Sequence, residues 1–123
     1  MNKQIISVVI ILLLSAFGVC AQSVTGMYDR EHDFMSAPTV LILKEDGNFE
    51  ISTGGASVRG TYKVNGSKIM FQDKAGDYAD TLAGEGSYAM ITGNNNTLTL
   101  KTIADKAHQR ENVLAASNWR KIK

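Results

Sequence analysis

The chain has 123 residues, 44% of them hydrophobic, with 13 Lys and Arg against 12 Asp and Glu. This length is typical of one domain, and the near-neutral charge gives no electrostatic case for nucleic acid binding. Because Cys20 is the one cysteine, an internal disulfide and a multi-thiolate zinc site are also excluded.

The first residues have the layout of an export signal. Lys3 precedes an apolar run over Ile5–Leu14, and small residues follow the run. The pattern predicts a signal peptide over residues 1–21 and an exported domain, periplasmic or extracellular, over residues 22–123. A lipoprotein with its lipid on Cys20 and an uncleaved membrane anchor are the alternatives. Cleavage would leave a neutral domain without cysteine.

Short segments rich in β-branched and aromatic residues alternate with turn residues at a spacing of roughly nine or ten positions, which is typical of an all-β barrel or sandwich. The consecutive hairpins favour an eight-stranded antiparallel up-and-down barrel, closed by the last strand, with one short helix before that strand. The predicted strands are Thr25–Arg30, Thr39–Lys44, Asn48–Thr53, Ser57–Val64, Lys68–Gln72, Gly86–Thr92, Thr97–Thr102 and Asn118–Ile122.

Asp46-Gly47 predicts a two-residue hairpin turn, since both residue types tolerate the positive φ of a type I′ turn. This turn would pair Ile42 with Ile51 inside the barrel. Leu41 and Leu43 would then point outward and need a cover.

The predicted cover is a helix that begins at Asp105, as its N-cap, and ends near Ala115. Its residues Ala107, Val113 and Leu114 would face the barrel. A dimer contact over the two leucines is the alternative.

Asn65-Gly66 predicts a second two-residue turn, which would pair Tyr62 with Ile69 and Gly60 with Phe71. Gly60 would leave room for the Phe71 ring and permit the bend that closure of a barrel needs. The two hairpins together predict an interior set of Ile42, Phe49, Ile51, Val58, Tyr62, Ile69 and Phe71.

Three segments of the chain carry a family resemblance, one at the start of the first predicted strand, one in the middle and one near the C-terminus. Gly26-Met27-Tyr28 resembles the Gly-x-Trp of lipocalins, with Tyr in place of Trp, and "DGNF…GTYKV" follows the rhythm of small lipocalin-like barrels in bacterial exported proteins. The ending "DKAHQRENVLAASNW", with Asp105, Arg110 and Trp119, is similar to the close of such domains. The resemblance to these calycin-like barrels implies that the ending lies at the closed end of the barrel and that a small apolar ligand is held in its mouth.

Aromatic residues on or near the predicted inner face are the candidates for a cavity lining, since they combine apolar surface with hydroxyl groups. An acidic loop from Asp73 to Glu85 would cover the mouth, with Tyr78 and Leu82 folding over it. Side chains can also fill a barrel of this size and leave no cavity. The predicted ligand-binding residues are Tyr28, Tyr62, Phe71, Tyr78, Tyr88 and Met90, and the predicted structural residues are Gly26, Gly60, Asp105, Arg110 and Trp119.

Two clusters contain residue types that can bind a metal ion, but the spacing of neither cluster predicts a metal site. Glu31-His32-Asp33 is a run of adjacent residues, which point in different directions on a strand. Asp73, Asp77 and Asp80 do not have the spacing of an EF-hand. No metal or other cofactor is therefore predicted.

Arg110 is predicted to pair with a carboxylate or to stack on Trp119, where Arg120 could replace it. The chain has none of the nucleophile, zinc or phosphate-loop motifs Gly-x-Ser-x-Gly, His-Glu-x-x-His or Gly-x-x-x-x-Gly-Lys.

The leading hypothesis is an exported barrel that binds a small apolar or amphipathic molecule. The alternatives are a cell-envelope protein-interaction module with a filled barrel and, as a third reading, a barrel enzyme acting on a hydrophobic substrate. The expected partner is a small molecule rather than nucleic acid, with membrane contact only through the N-terminal segment.

Overall fold

The computed structural model of the chain describes residues 24–30, 38–93, 96–115 and 118–123. The predicted signal peptide and the Glu31–Asp33 cluster lie outside these residues. The described chain forms one closed barrel in which every strand pairs with its neighbours in sequence, and β8 closes onto β1. The predicted up-and-down barrel is therefore confirmed.

All eight predicted strands are present, with changes at their ends. β5 continues past the predicted end at Gln72, which places Asp73 within the strand, and β7 also extends further than predicted. A backbone hydrogen bond of 3.0 Å from Met27 to the carbonyl of Lys123 supports the closure. The strands are β1 Gly26–Arg30, β2 Thr39–Leu43, β3 Asn48–Thr53, β4 Ala56–Asn65, β5 Lys68–Gly76, β6 Gly86–Thr92, β7 Thr97–Ala104 and β8 Trp119–Lys121.

The predicted register of the β2–β3 hairpin is wrong by one residue. Ile51 pairs with Leu41 rather than with Ile42. The backbone N–H of Lys44 donates to the carbonyl of Asn48 at 2.9 Å, so the loop holds three residues instead of two, and its last residue, Gly47, has a φ of 87°. Because strand faces alternate, this single extra residue turns the strand over.

The consequence is that Leu41 and Leu43 lie inside the barrel, at 0% and 1% exposure, while Ile42 is only partly buried on the outer side. The prediction that a helix or a second copy covers the two leucines was therefore wrong. They are core residues of the barrel itself.

The register of the β4–β5 hairpin differs by two positions, which leaves each side chain on its predicted face. Tyr62 pairs with Phe71, and the loop residues are Gly66 and Ser67. Gly60 lies opposite Asp73, next to an irregularity in the pairing. A Cβ at Gly60 would meet the Phe49 ring at 2.7 Å, so the ring that this glycine accommodates is Phe49 and not the predicted Phe71.

Aromatic rings fill the middle of the barrel. Phe71 contacts Phe49 and Tyr88 edge to face, with ring centroids 5.1 and 5.8 Å apart. All three rings are at most 1% exposed. Such edge-to-face packing is a favourable arrangement that leaves no space for a ligand between the rings.

The predicted helix is present but shorter, and we label it α1, His108–Leu114. The predicted N-cap, Asp105, is wrong: the N-cap is Ala107, and no side chain caps it. Ala107 and Leu114 are buried and Val113 packs against the core. Arg30, at the end of β1, donates to the carbonyls of Asn112 and Val113 at 3.2 and 2.7 Å, which ties α1 to one end of the barrel.

Candidate functional site

A cavity of about 480 Å³ lies at this end of the barrel, between α1, the β3–β4 hairpin and the end of β5. We call it the end cavity. Its volume is within the range of small-molecule sites. Its apolar walls are formed on one side by Ile51, Ala56 and Val58 of β3 and β4, and on the other side by Val113 of α1.

The polar lining of the end cavity is mostly uncharged. It consists of Thr53, Ser57, Tyr78, Gln109 and Asn112. The charged lining residues are Asp73 and Arg110, which come from β5 and α1 and meet at the cavity.

Arg110 is the centre of a buried ion cluster that also contains Asp73 and Asp105. The side chains of the three residues are at most 2% exposed. The guanidinium binds Asp105 through two nitrogens, Nη2 to Oδ1 at 2.6 Å and Nε to Oδ2 at 2.8 Å. Nη1 lies 3.1 Å from Asp73 Oδ1, and Nη2 also donates to the carbonyl of Gly84 at 3.0 Å. The predicted pairing of Arg110 with a carboxylate is confirmed.

The ion cluster shifts the ionisation of its members. Burial alone would lower the pKa of Arg110, but the hydrogen bonds to Asp105 and the charges of Asp73 and Asp105 outweigh burial and raise it. Burial would raise the pKa of Asp105, yet the hydrogen bonds from Arg110, Tyr88 and the Ala107 N–H hold it below the ordinary value of 3.8. At neutral pH the Arg110 guanidinium is therefore positively charged and the Asp105 carboxylate negatively charged.

Tyr88 joins the ion cluster to the aromatic core. Its hydroxyl donates to Asp105 Oδ2, and its ring contacts Phe71. Burial, then the hydrogen bond and charge of Asp105, raise the pKa of Tyr88 far above its ordinary value of 10.0. Tyr88 therefore stays protonated and serves as a donor to the carboxylate.

The acidic loop after β5 is held by its own carboxylates. Asp73 Oδ2 accepts from the backbone N–H of Asp80 at 2.9 Å, and Asp77 Oδ2 accepts from the N–H of Ser57 at 2.9 Å. Leu82 is 96% exposed, so the prediction that it folds over the mouth was wrong. Tyr78, which is 57% exposed, contributes to the cavity wall.

The structure disperses the six predicted ligand-binding residues. Tyr78 is the one that lines the end cavity, while Phe71 and Tyr88 lie in the packed core. Met90 packs against that core. The hydroxyls of Tyr28 and Tyr62 donate to the carbonyls of Val24 and Lys44, at 2.7 and 2.6 Å.

Trp119 and Gly26 occupy structural positions. Trp119 is fully buried and donates from Nε1 to the carbonyl of Leu114 at 3.0 Å, which anchors the end of α1. Its ring faces Arg30, whose guanidinium lies 5.8 Å from the ring centroid. Arg120 instead pairs with Asp29 at 3.1 Å. The arginine beside Trp119 is therefore Arg30, whereas the prediction named Arg110 or Arg120.

Gly26, at the start of β1, has a φ of 147°, and a Cβ there would meet the Lys123 carbonyl at 2.6 Å. This glycine therefore permits the close approach of β1 to the residues at and after the end of β8.

The sequence reading missed Asp73 as a buried residue, although a signal was available. Ile69, Phe71 and Asp73 have the period of two that places residues on one face of a strand. A continued alternation would have placed the carboxylate inside the barrel and posed the question of its partner.

Within the described ranges, no helix is long and apolar enough to cross a membrane. The same part of the chain holds no group of three or more His, Cys, Asp or Glu residues placed to bind a metal ion. Comparisons of the chain with protein-family models, with curated proteins and with solved structures find no match.

Proposed function

We propose that this barrel binds a small amphipathic molecule in the end cavity. The observation that carries the proposal is the cavity of about 480 Å³, which combines apolar walls with the buried charges of Asp73 and Arg110. Ligand sites typically join a mostly apolar lining to a few placed polar groups that fix orientation.

The packed rings of Phe49, Phe71 and Tyr88 favour a site at the end of the barrel over a site in its middle. A ligand in the middle would have to displace buried aromatic side chains, at a cost of several kcal/mol. A ligand in the end cavity would contact side chains that already surround a space.

The proposal can be tested with Nile red, a neutral dye whose fluorescence rises in apolar surroundings. The dye should bind the unmodified protein, and Val58→Trp should weaken binding by about tenfold or more because the larger side chain occupies the cavity. Leu82→Trp is the matched control, since Leu82 is almost fully exposed and does not line the cavity.

Equal affinity of Val58→Trp and Leu82→Trp would contradict the end cavity as the site. Failure of every form to bind the dye would favour the alternative of a barrel that acts through protein contacts.

A further inference from the structure

The charges around the end cavity are unbalanced. Asp73 and Arg110 line the cavity, and Asp105 lies directly behind Arg110. Two carboxylates against one guanidinium leave the buried ion cluster with one net negative charge. The loop beside it adds Asp77, which binds the N–H of the lining residue Ser57. The nearby guanidinium of Arg30 donates to the backbone carbonyls of Asn112 and Val113.

The hydrogen bonds show which group of the ion cluster has capacity left. Arg110 donates from Nε and Nη2 to Asp105 and Gly84, while its Nη1 makes no hydrogen bond and lies 3.1 Å from Asp73 Oδ1. Asp105 accepts from Arg110, Tyr88 and Ala107 through its two oxygens.

Asp73 also has hydrogen-bonding capacity left, at the oxygen that faces Arg110 Nη1. Its Oδ2 accepts from Asp80, while Oδ1 lies 3.1 Å from Arg110 Nη1 without hydrogen-bond geometry. A buried carboxylate oxygen without a hydrogen bond is costly, and a donor group placed near it is stabilised. The polar side of the cavity therefore holds one acceptor and one donor that lack a hydrogen bond, and the net negative charge of the ion cluster favours a cationic group there over an anionic one.

We propose that the ligand of the end cavity carries a hydrogen-bond-donating, cationic group, of the primary-amine class, on an apolar body. This inference rests on the proposed function. The amine is directed to Asp73, and the apolar body lies against Val58 and Val113. A fatty acid is disfavoured, because its carboxylate would meet the net negative charge in a poorly solvated site.

The test compares three probes with the same apolar body, decylamine, decanol and decanoate, at neutral pH and below the concentration at which each aggregates. Isothermal titration calorimetry on the unmodified protein should show decylamine binding about tenfold or more tightly than decanoate, with decanol between them. Equal affinities, or a preference for decanoate, would overturn the cationic class while leaving the proposed function in place. No binding by any of the three would overturn both.

Asp73→Asn should reduce the preference for decylamine over decanol, since it removes the charge and keeps the size of the side chain. Glu50→Gln is the matched control, because it also removes one negative charge but lies on β3 opposite Arg59, away from the cavity lining. Circular dichroism reports whether each variant is folded. An unchanged preference in a folded Asp73→Asn would contradict the inference, and if that variant does not fold, the three-probe series on the unmodified protein decides.

Discussion

At the residue scale, Arg110 is the charged residue that links the two buried carboxylates of the site. Its guanidinium joins Asp105 beside α1 to Asp73 on β5, and Tyr88 extends the contact into the aromatic core. Such a network fixes the position of α1 over the end cavity. Its stability depends on every member, because each buried charge is compensated by the others.

Arg110→Met should therefore lower the free energy of unfolding by about 3–5 kcal/mol, since it leaves two buried carboxylates without their cation. Arg120→Met is the matched control. Arg120 also pairs with an aspartate, but its side chain is 54% exposed, and such pairs contribute less than about 1 kcal/mol.

Urea unfolding of both variants measures the difference. Similar losses for the two arginines would show that the buried ion cluster does not hold the fold.

At the element scale, the two hairpins show what a turn motif can and cannot predict. The positions of the turns and the alternation within strands predicted all eight strands. The exact loops were not predictable from Asp46-Gly47 or Asn65-Gly66 alone, because the first loop holds three residues instead of two and the second is displaced by one residue along the chain. The register shift of one residue in the β2–β3 hairpin moved Leu41 and Leu43 to the inner face and Ile42 to the outer face. The register shift of two residues in the β4–β5 hairpin left every side chain on its predicted face.

Gly60 is the position in β4 where steric space matters most. A Cβ there would lie 1.9 Å from the carbonyl oxygen of Gln72, which is backbone and cannot easily move, and 2.7 Å from the Phe49 ring. Gly60→Ala should therefore destabilise the barrel by about 3 kcal/mol or more, at the upper end of overpacking costs.

Gly55→Ala serves as its comparison in thermal unfolding. Gly55 has a φ of 91° and no atom within 4 Å of a Cβ, so its substitution carries a backbone cost of about 1–2 kcal/mol without a clash. A Gly60→Ala variant as stable as Gly55→Ala would contradict the close approach of β4 to Gln72.

At the scale of the whole molecule, the sequence predicted the closed barrel, its helix and the carboxylate pairing of Arg110. It placed the ligand among inward-facing aromatic residues under the Asp73–Glu85 loop, whereas the structure packs Phe71 and Tyr88 into the core and leaves space at one end. Strand alternation identifies the residues that face inward, but it does not tell whether their volumes fill the interior. Asp73 was missed because its partner, Arg110, lies on a distant segment of the chain.

Methyl NMR during titration with decanol is the most direct measurement of where the barrel binds. The neutral probe makes the result independent of the charge of the ligand. Binding in the end cavity should shift the methyl signals of Val58 and Val113, and leave those of Ile69 and Leu98, in the packed core, nearly unchanged. Larger shifts at Ile69 and Leu98, or no shift at any methyl group, would contradict a ligand site between α1 and the β3–β4 hairpin.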